Sequence, residues 1–266
     1  MAFEVMKQAF KDKYLGTVLI ALLIFVYIFW LASFYPSIKP MISGYDQLLQ
    51  NPTMKAFLGD DAVSMTTFTG FMTLEVFSYM GLVVGAFFIF MVASFAAGEI
   101  EQKSCELLLS LPVSRVSVIL SRFVTLLPFT ALIMLAELAA IYLGGVYIGE
   151  DTLIKWFAFA LLFMGAFTIA VGAMALFVSS IMSDGRRAAL LSLGILLAMF
   201  LVENIGSMVT SIDWARKLSL FHYAKVGTIV TTQSVDWVNM GILLAVAVIF
   251  LALSVVAFRQ RDINVS

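Results

Sequence analysis

The sequence predicts an all-α membrane protein that crosses the bilayer six times. Three observations carry this reading. Of 266 residues, 62% are apolar and only 12% are charged, whereas a soluble domain averages about 45–50% and about 25%. Four long stretches, 14–38, 76–98, 156–183 and 237–258, hold no charge at all. Each suffices for the roughly 20 residues with which a helix crosses a hydrocarbon core of about 30 Å. None alternates with period two, as barrel strands would. Helices are the other structure that satisfies its own backbone in lipid.

The elements follow in order. Residues 1–14 are expected as an interfacial amphipathic helix. Phe3, Met6, Phe10 and Tyr14 recur at helical spacing, while Glu4, Lys7, Gln8, Lys11, Asp12 and Lys13 take the other faces. The first span is expected over 15–35, closed by Pro36 and Pro40. A loop over 37–73 is too long for a bare connection, and Leu48, Leu49, Met54, Phe57 and Leu58 suggest a short surface helix on either side of Pro52. The remaining spans are placed at 74–98, 116–143 (with a kink expected at Pro128), 156–182, 188–208 and 237–258. A mixed segment, 209–235, separates the last two, and all six spans are expected to form a single transmembrane domain over 1–266.

Basic residues set the orientation. Lys7, Lys11, Lys13, Lys103, Arg115, Arg122, Arg186, Arg187, Arg259 and Arg261 fall on one side. Lys39, Lys55, Lys155, Arg216, Lys217 and Lys225 fall on the other. The larger group sits in short segments against the span ends, where the positive-inside bias is read. Both termini are therefore expected in the cytoplasm and the chain in the cell membrane. The first apolar run reads as a span rather than a cleaved leader, being too long and lacking a small-residue cleavage site. A net charge of −1 argues against a nucleic-acid partner, which would want a basic face. Cys105 is the sole cysteine, so no intramolecular disulfide forms.

The most informative stretch is Gly98 to Arg115, between spans two and three. Glu99, Glu101, Lys103 and Glu106 crowd the exit of a span. Leu107, Leu108, Leu109 and Leu111 follow in a loop that faces the cytosol, and Pro112 stops the short helix. A leucine cluster on an exposed amphipathic helix is a docking surface. The alternative is a helix resting on lipid, and the acidic lead weighs against it, because anionic lipid repels Glu99, Glu101 and Glu106.

These residues resemble a family. Glu99 and Glu101, then Glu106-Leu107-Leu108-Leu109-Ser110, then Pro112-Val113-Ser114-Arg115 are similar to the element that ABC-2 type permeases carry between their second and third spans. Ser219-Leu220-Phe221-His222-Tyr223 resembles the family's Ser-Pro-Phe-His-Tyr element, and Phe258 to Asp262 its Phe-x-Arg-Arg-Asp ending. The chain departs at Lys103-Ser104, where the family has Gly-Thr, at Cys105 for Leu, and at Leu220 for Pro. The resemblance implies a coupling helix around Ser104 to Leu111, seated in a groove of a separate ATP-binding subunit. It also implies a second permease subunit, identical or not, and export as the direction. ATP and magnesium would belong to the partner, and this chain would bind no cofactor and catalyse nothing. No Gly-x-x-x-x-Gly-Lys-[Ser/Thr] loop occurs here, nor any Gly-Lys pair.

Several residues invite further reading. Glu75, Glu137 and Glu203 are acids in or beside spans, and such acids are costly and often functional. Glu137 and Glu203 either line a translocation path for a polar or cationic substrate or reach interfacial water. Glu75 fits the second description better. His222, the sole histidine, lacks the convergent ligands of a metal site. The 15 methionines are scattered as packing residues are. Gly81 and Gly85, with Ala93 and Ala97, have the spacing of close helix contacts. A stand-alone secondary transporter or channel is the competing class, and it would want matching broken helices in two halves. An intramembrane enzyme would want a motif such as His-Glu-x-x-His, which a single histidine rules out.

Overall fold

The structure, a computed structural model, describes residues 2–49, 65–93, 95 and 114–260. Among them, six helices are long and apolar enough to cross a membrane. These are α1 (Ala2–Leu49), α2 (Phe68–Ala93), α3 (Arg115–Ile148), α4 (Ile154–Ile181), α5 (Gly185–Met208) and the last helix. Between α5 and the last come a 3₁₀ turn (Thr210–Ile212) and three short helices, α6 (Asp213–Arg216), α7 (Leu220–Ala224) and α8 (Val226–Thr232). The last is α9 (Trp237–Gln260). The described residues contain no strand.

Backbone self-sufficiency extends to the side chains. Hydroxyls buried in an apolar bundle need a partner, and the nearest is the carbonyl one turn back. Thr17, Thr73, Thr125, Thr168, Ser180 and Ser192 each donate to the carbonyl four residues earlier. Asp184 caps α5 by accepting from the Arg187 N–H at 3.0 Å.

Several helix boundaries differ from the sequence expectation: α2 begins at Phe68 rather than at 74, and α3 runs on to Ile148 rather than ending at 143. No break separates residues 1–14 from the first span, since α1 is continuous from Ala2. Nor do Pro36 and Pro40 close it, for the helix runs through both to Leu49. Each proline removes one backbone donor. The packing of this stretch compensates: Tyr35 is fully buried, edge-on to Phe68 at 5.5 Å, and donates its hydroxyl to the Thr66 carbonyl. Local propensity thus yields to tertiary contact.

Side-chain contacts fix the directions of the helices. Phe10 stacks on Phe129 at 4.9 Å and Phe29 meets Tyr147 at 5.8 Å, so α1 and α3 run parallel. A Cβ on Gly144 would lie 2.4 Å from the Ala32 Cβ, so glycine there is what lets α1 and α3 approach. Phe159 meets Trp237 and Phe177 meets Phe250, which makes α4 and α9 parallel as well. Gly165 faces Thr130 while Gly172 faces Leu126, so α3 and α4 are antiparallel. The chain therefore crosses up and down in turn, and its two ends lie on one face, called the terminal face below. Helix α4 is the axis: 83% of its most apolar stretch is buried, against 22% in α5 and in α9. The outer helices turn leucines such as Leu22, Leu23 and Leu201 outward, as lipid-facing helices do.

Candidate functional site

The terminal face gathers two of the motif segments. Ser114 is the N-cap of α3 and accepts from the Ser117 N–H at 3.1 Å. Arg115, the next residue, donates to the carbonyls of Phe258 and Arg259 at 3.5 and 3.4 Å. Those are terminal carbonyls of α9, left without helical donors and carrying the negative end of its dipole. Arg115, the last residue of the Pro-Val-Ser-Arg element, thus meets the Phe-Arg ending in space. Beside them Lys13 and Arg122 lie over the Phe95 ring, at 5.8 and 5.0 Å. Glu99, Glu101, Ser104, Glu106, Leu107, Leu108, Leu109, Ser110, Leu111 and Pro112 lie outside the described residues.

On the opposite face the mixed segment folds back into the bundle. Arg216 reaches Glu203, and the Ser219 hydroxyl donates to the Met199 carbonyl at 2.9 Å. Met199 is nine residues before the end of α5, so the chain has descended about 13 Å along that helix. There Phe221 packs against Phe167 of α4 at 4.6 Å and Phe200 of α5 at 5.5 Å. A Cβ on Gly81 would stand 3.2 Å from the Phe221 ring, so α2 makes room for it. The chain then rises through α8, where Gly227 lies against Thr73. Ser219 caps α7 by accepting from the Phe221 N–H. Lys225 turns the corner between α7 and α8 with φ of 39°, a left-handed conformation uncommon for a residue with a Cβ.

Glu203 is the hub of this region. Its Oε1 accepts from Arg216 Nη2 at 2.7 Å and Nε at 3.2 Å. Arg216 Nη1 also donates to Asp213 at 3.0 Å. The two carboxylates raise the Arg216 pKa, Glu203 foremost through its hydrogen bond, so the guanidinium stays charged at any accessible pH. His222 Nδ1 lies 3.5 Å from the same oxygen, within ion-pair range but outside hydrogen-bond geometry. Glu203 Oε2 has no hydrogen-bond partner among the described residues. A cavity of about 200 Å³ abuts the cluster, lined by Glu203, Asn204, Lys225, Ser78, Phe200 and Phe221 among others. It joins a carboxylate, an amide and an ammonium to aromatic walls, a lining suited to an amphipathic solute.

Glu137 lies elsewhere. It sits in the middle of α3, fully buried, with no hydrogen bond to either carboxyl oxygen among the described residues. Helix α3 packs on α1, α4 and α9, whereas α5 packs on α2, α4 and the short helices. The two acids are therefore not brought together, and Glu137 does not line the Glu203 cavity. Glu75 is half-buried on α2.

Sequence reasoning did not find the partners of Glu203. Arg216 is thirteen residues away, across a turn that no helical or strand period describes. The available signal was a base in the mixed segment, close in the chain to an intramembrane acid. Asn204 and Lys225 carried no signal, because only the fold-back places them at the cavity.

Comparison with known proteins agrees with this architecture. The profile of the family described as ABC-2 family transporter protein matches residues 4–263. No curated protein matches the chain. With the match running over nearly all of its length, and with six apolar helices beneath it, the chain belongs to the ABC-2 transporter family.

Proposed function

We propose that the chain is the membrane-spanning permease subunit of an ATP-driven exporter, coupled to a separate ATP-binding subunit and paired with a second permease subunit. The observation that carries this reading is the family match over residues 4–263. The contact of Arg115 with the end of α9 supports it, since it gives the residue that follows the coupling segment a fixed footing. Residues Glu99 to Pro112 form the coupling element, with Leu107, Leu108, Leu109 and Leu111 as its apolar face. ATP and magnesium reside on the partner, where hydrolysis drives the rearrangement. The terminal face is cytoplasmic, which places the ten basic residues of that side inside. Solute leaves by the opposite face past Glu203, Asn204 and Lys225, whose cavity offers both signs of charge. Glu137, fully buried and outside that cavity, joins the path when the helices rearrange.

The test is purification of the tagged chain from its native membrane in mild detergent. A stoichiometric soluble ATPase is the expected companion. Leu108→Asp should abolish that association while the chain still elutes as a monodisperse membrane protein. A chain that emerges alone, and moves solute in vesicles without ATP, would instead be a secondary transporter.

A further inference from the structure

We propose that the cleft between α3, α4 and α9 holds one acyl chain of a phospholipid from the leaflet on the opposite face, with Lys155 at the lipid phosphate. The cleft has a volume of about 580 Å³, within the usual range for ligand sites. Apart from Thr130 and Trp237, every residue of its lining is aliphatic, glycine or methionine. On α3 it extends from Leu127 to Leu138, eleven residues or about 16 Å. That is about half of a 30 Å hydrocarbon core, the depth of a single leaflet. Its floor is kept low by Ala131, Gly165 and Ala166.

The mouth identifies the occupant. Ala158, Leu162, Gly165 and Ile169 form one stripe of α4 along the cleft, and the same stripe continues outward to Lys155, three residues before Ala158. Lys155 is exposed and forms no ion pair among the described residues. Its ammonium lies 5.1 Å from the Trp156 ring. Trp156 meets Phe159, and Phe159 meets Trp237, whose side chain also lines the cleft. Tryptophan and lysine at one level are the marks of the headgroup layer. A cation there, directly above a slot one leaflet deep, is complementary to a phosphate carrying an acyl chain. The site needs no ATPase and does not rest on the export reading.

The test uses the full chain in phosphatidylcholine vesicles doped with a phosphatidylglycerol that carries a photoreactive diazirine midway along one acyl chain. Irradiation is expected to concentrate label on residues 127–138 and 158–169, above the lipid-facing residues Leu19, Leu22 and Leu23 of α1. Ala131→Trp, which fills the slot, should remove the cleft label and spare that of α1. Lys155→Glu should lower cleft labelling by at least about five-fold, since it replaces the attractive charge at the lipid phosphate with a repulsive one, and Lys155→Arg should keep it. Lys155 is exposed, so its variants keep the test valid even where Ala131→Trp fails to fold. Equal label density on α1 and the cleft, or labelling indifferent to Lys155, would overturn the proposal. So would disulfide-linked dimers of Ala131→Cys in a Cys105→Ser background, which would show a second copy seated in the cleft.

Discussion

Glu137 and Glu203 both sit in spans of this protein, and the fold treats them differently. Glu203 lies near the end of α5, a fifth exposed, held by Arg216 and close to His222. Glu137 lies in the middle of α3, fully buried and without a hydrogen-bond partner among the described residues. The first acid organises its surroundings: the chain between α5 and α9 descends along α5 with its arginine placed on that carboxylate. The second organises nothing, and the packing of α3 on its neighbours bears its cost. Spacing along a helix says which acids enter the membrane. Only the returning chain decides which of them is matched.

That contrast can be broken by substitution, beginning where the effect is largest. Arg216→Met leaves Glu203 with its charge and without its guanidinium. The expected loss is about 2–3 kcal/mol of stability, below the 3–5 of a fully buried pair because both groups keep some exposure. A drop in the thermal unfolding midpoint in detergent checks it, and adding Glu203→Gln should recover most of the loss. Glu137→Leu should do the reverse. It removes a buried polar group that makes no bond, so the midpoint should stay level or rise, by up to about 1–2 kcal/mol. If Glu137→Leu instead destabilised as much as Arg216→Met, the two acids would not differ as described. The smallest effect is expected on the opposite face, where Lys39 and Glu150 pair at 2.8 Å in the open. There Lys39→Ala should leave the midpoint unmoved, since exposed pairs contribute little.

Much of the architecture was legible in the sequence. Four charge-free stretches and two nearly charge-free ones give the six spans, because lipid enforces their length and composition residue by residue. The acids were legible for the same reason. The fold-back between α5 and α9 was not. Helices of four to seven residues, such as α6 and α8, are too short to display a period. The burial of Ser219 depends on Met199, a contact with no local signature. Pro36 and Pro40 misled in the other direction, as stop signals overruled by the burial of Tyr35. At the terminal face Arg115 was singled out by its motif, but its seat on the carbonyls of α9 needed the third dimension.

That seat has a mechanical consequence. A segment tied to one helix can only tilt that helix. The chain at Arg115 is tied to two, because this residue begins α3 while donating to the end of α9. A pull or push arriving there is divided between a helix packed on α1 and a helix packed on the central α4. The stiffness felt at that point is that of the pair, and a displacement of a few ångströms is delivered as a torque between them rather than as a local bend.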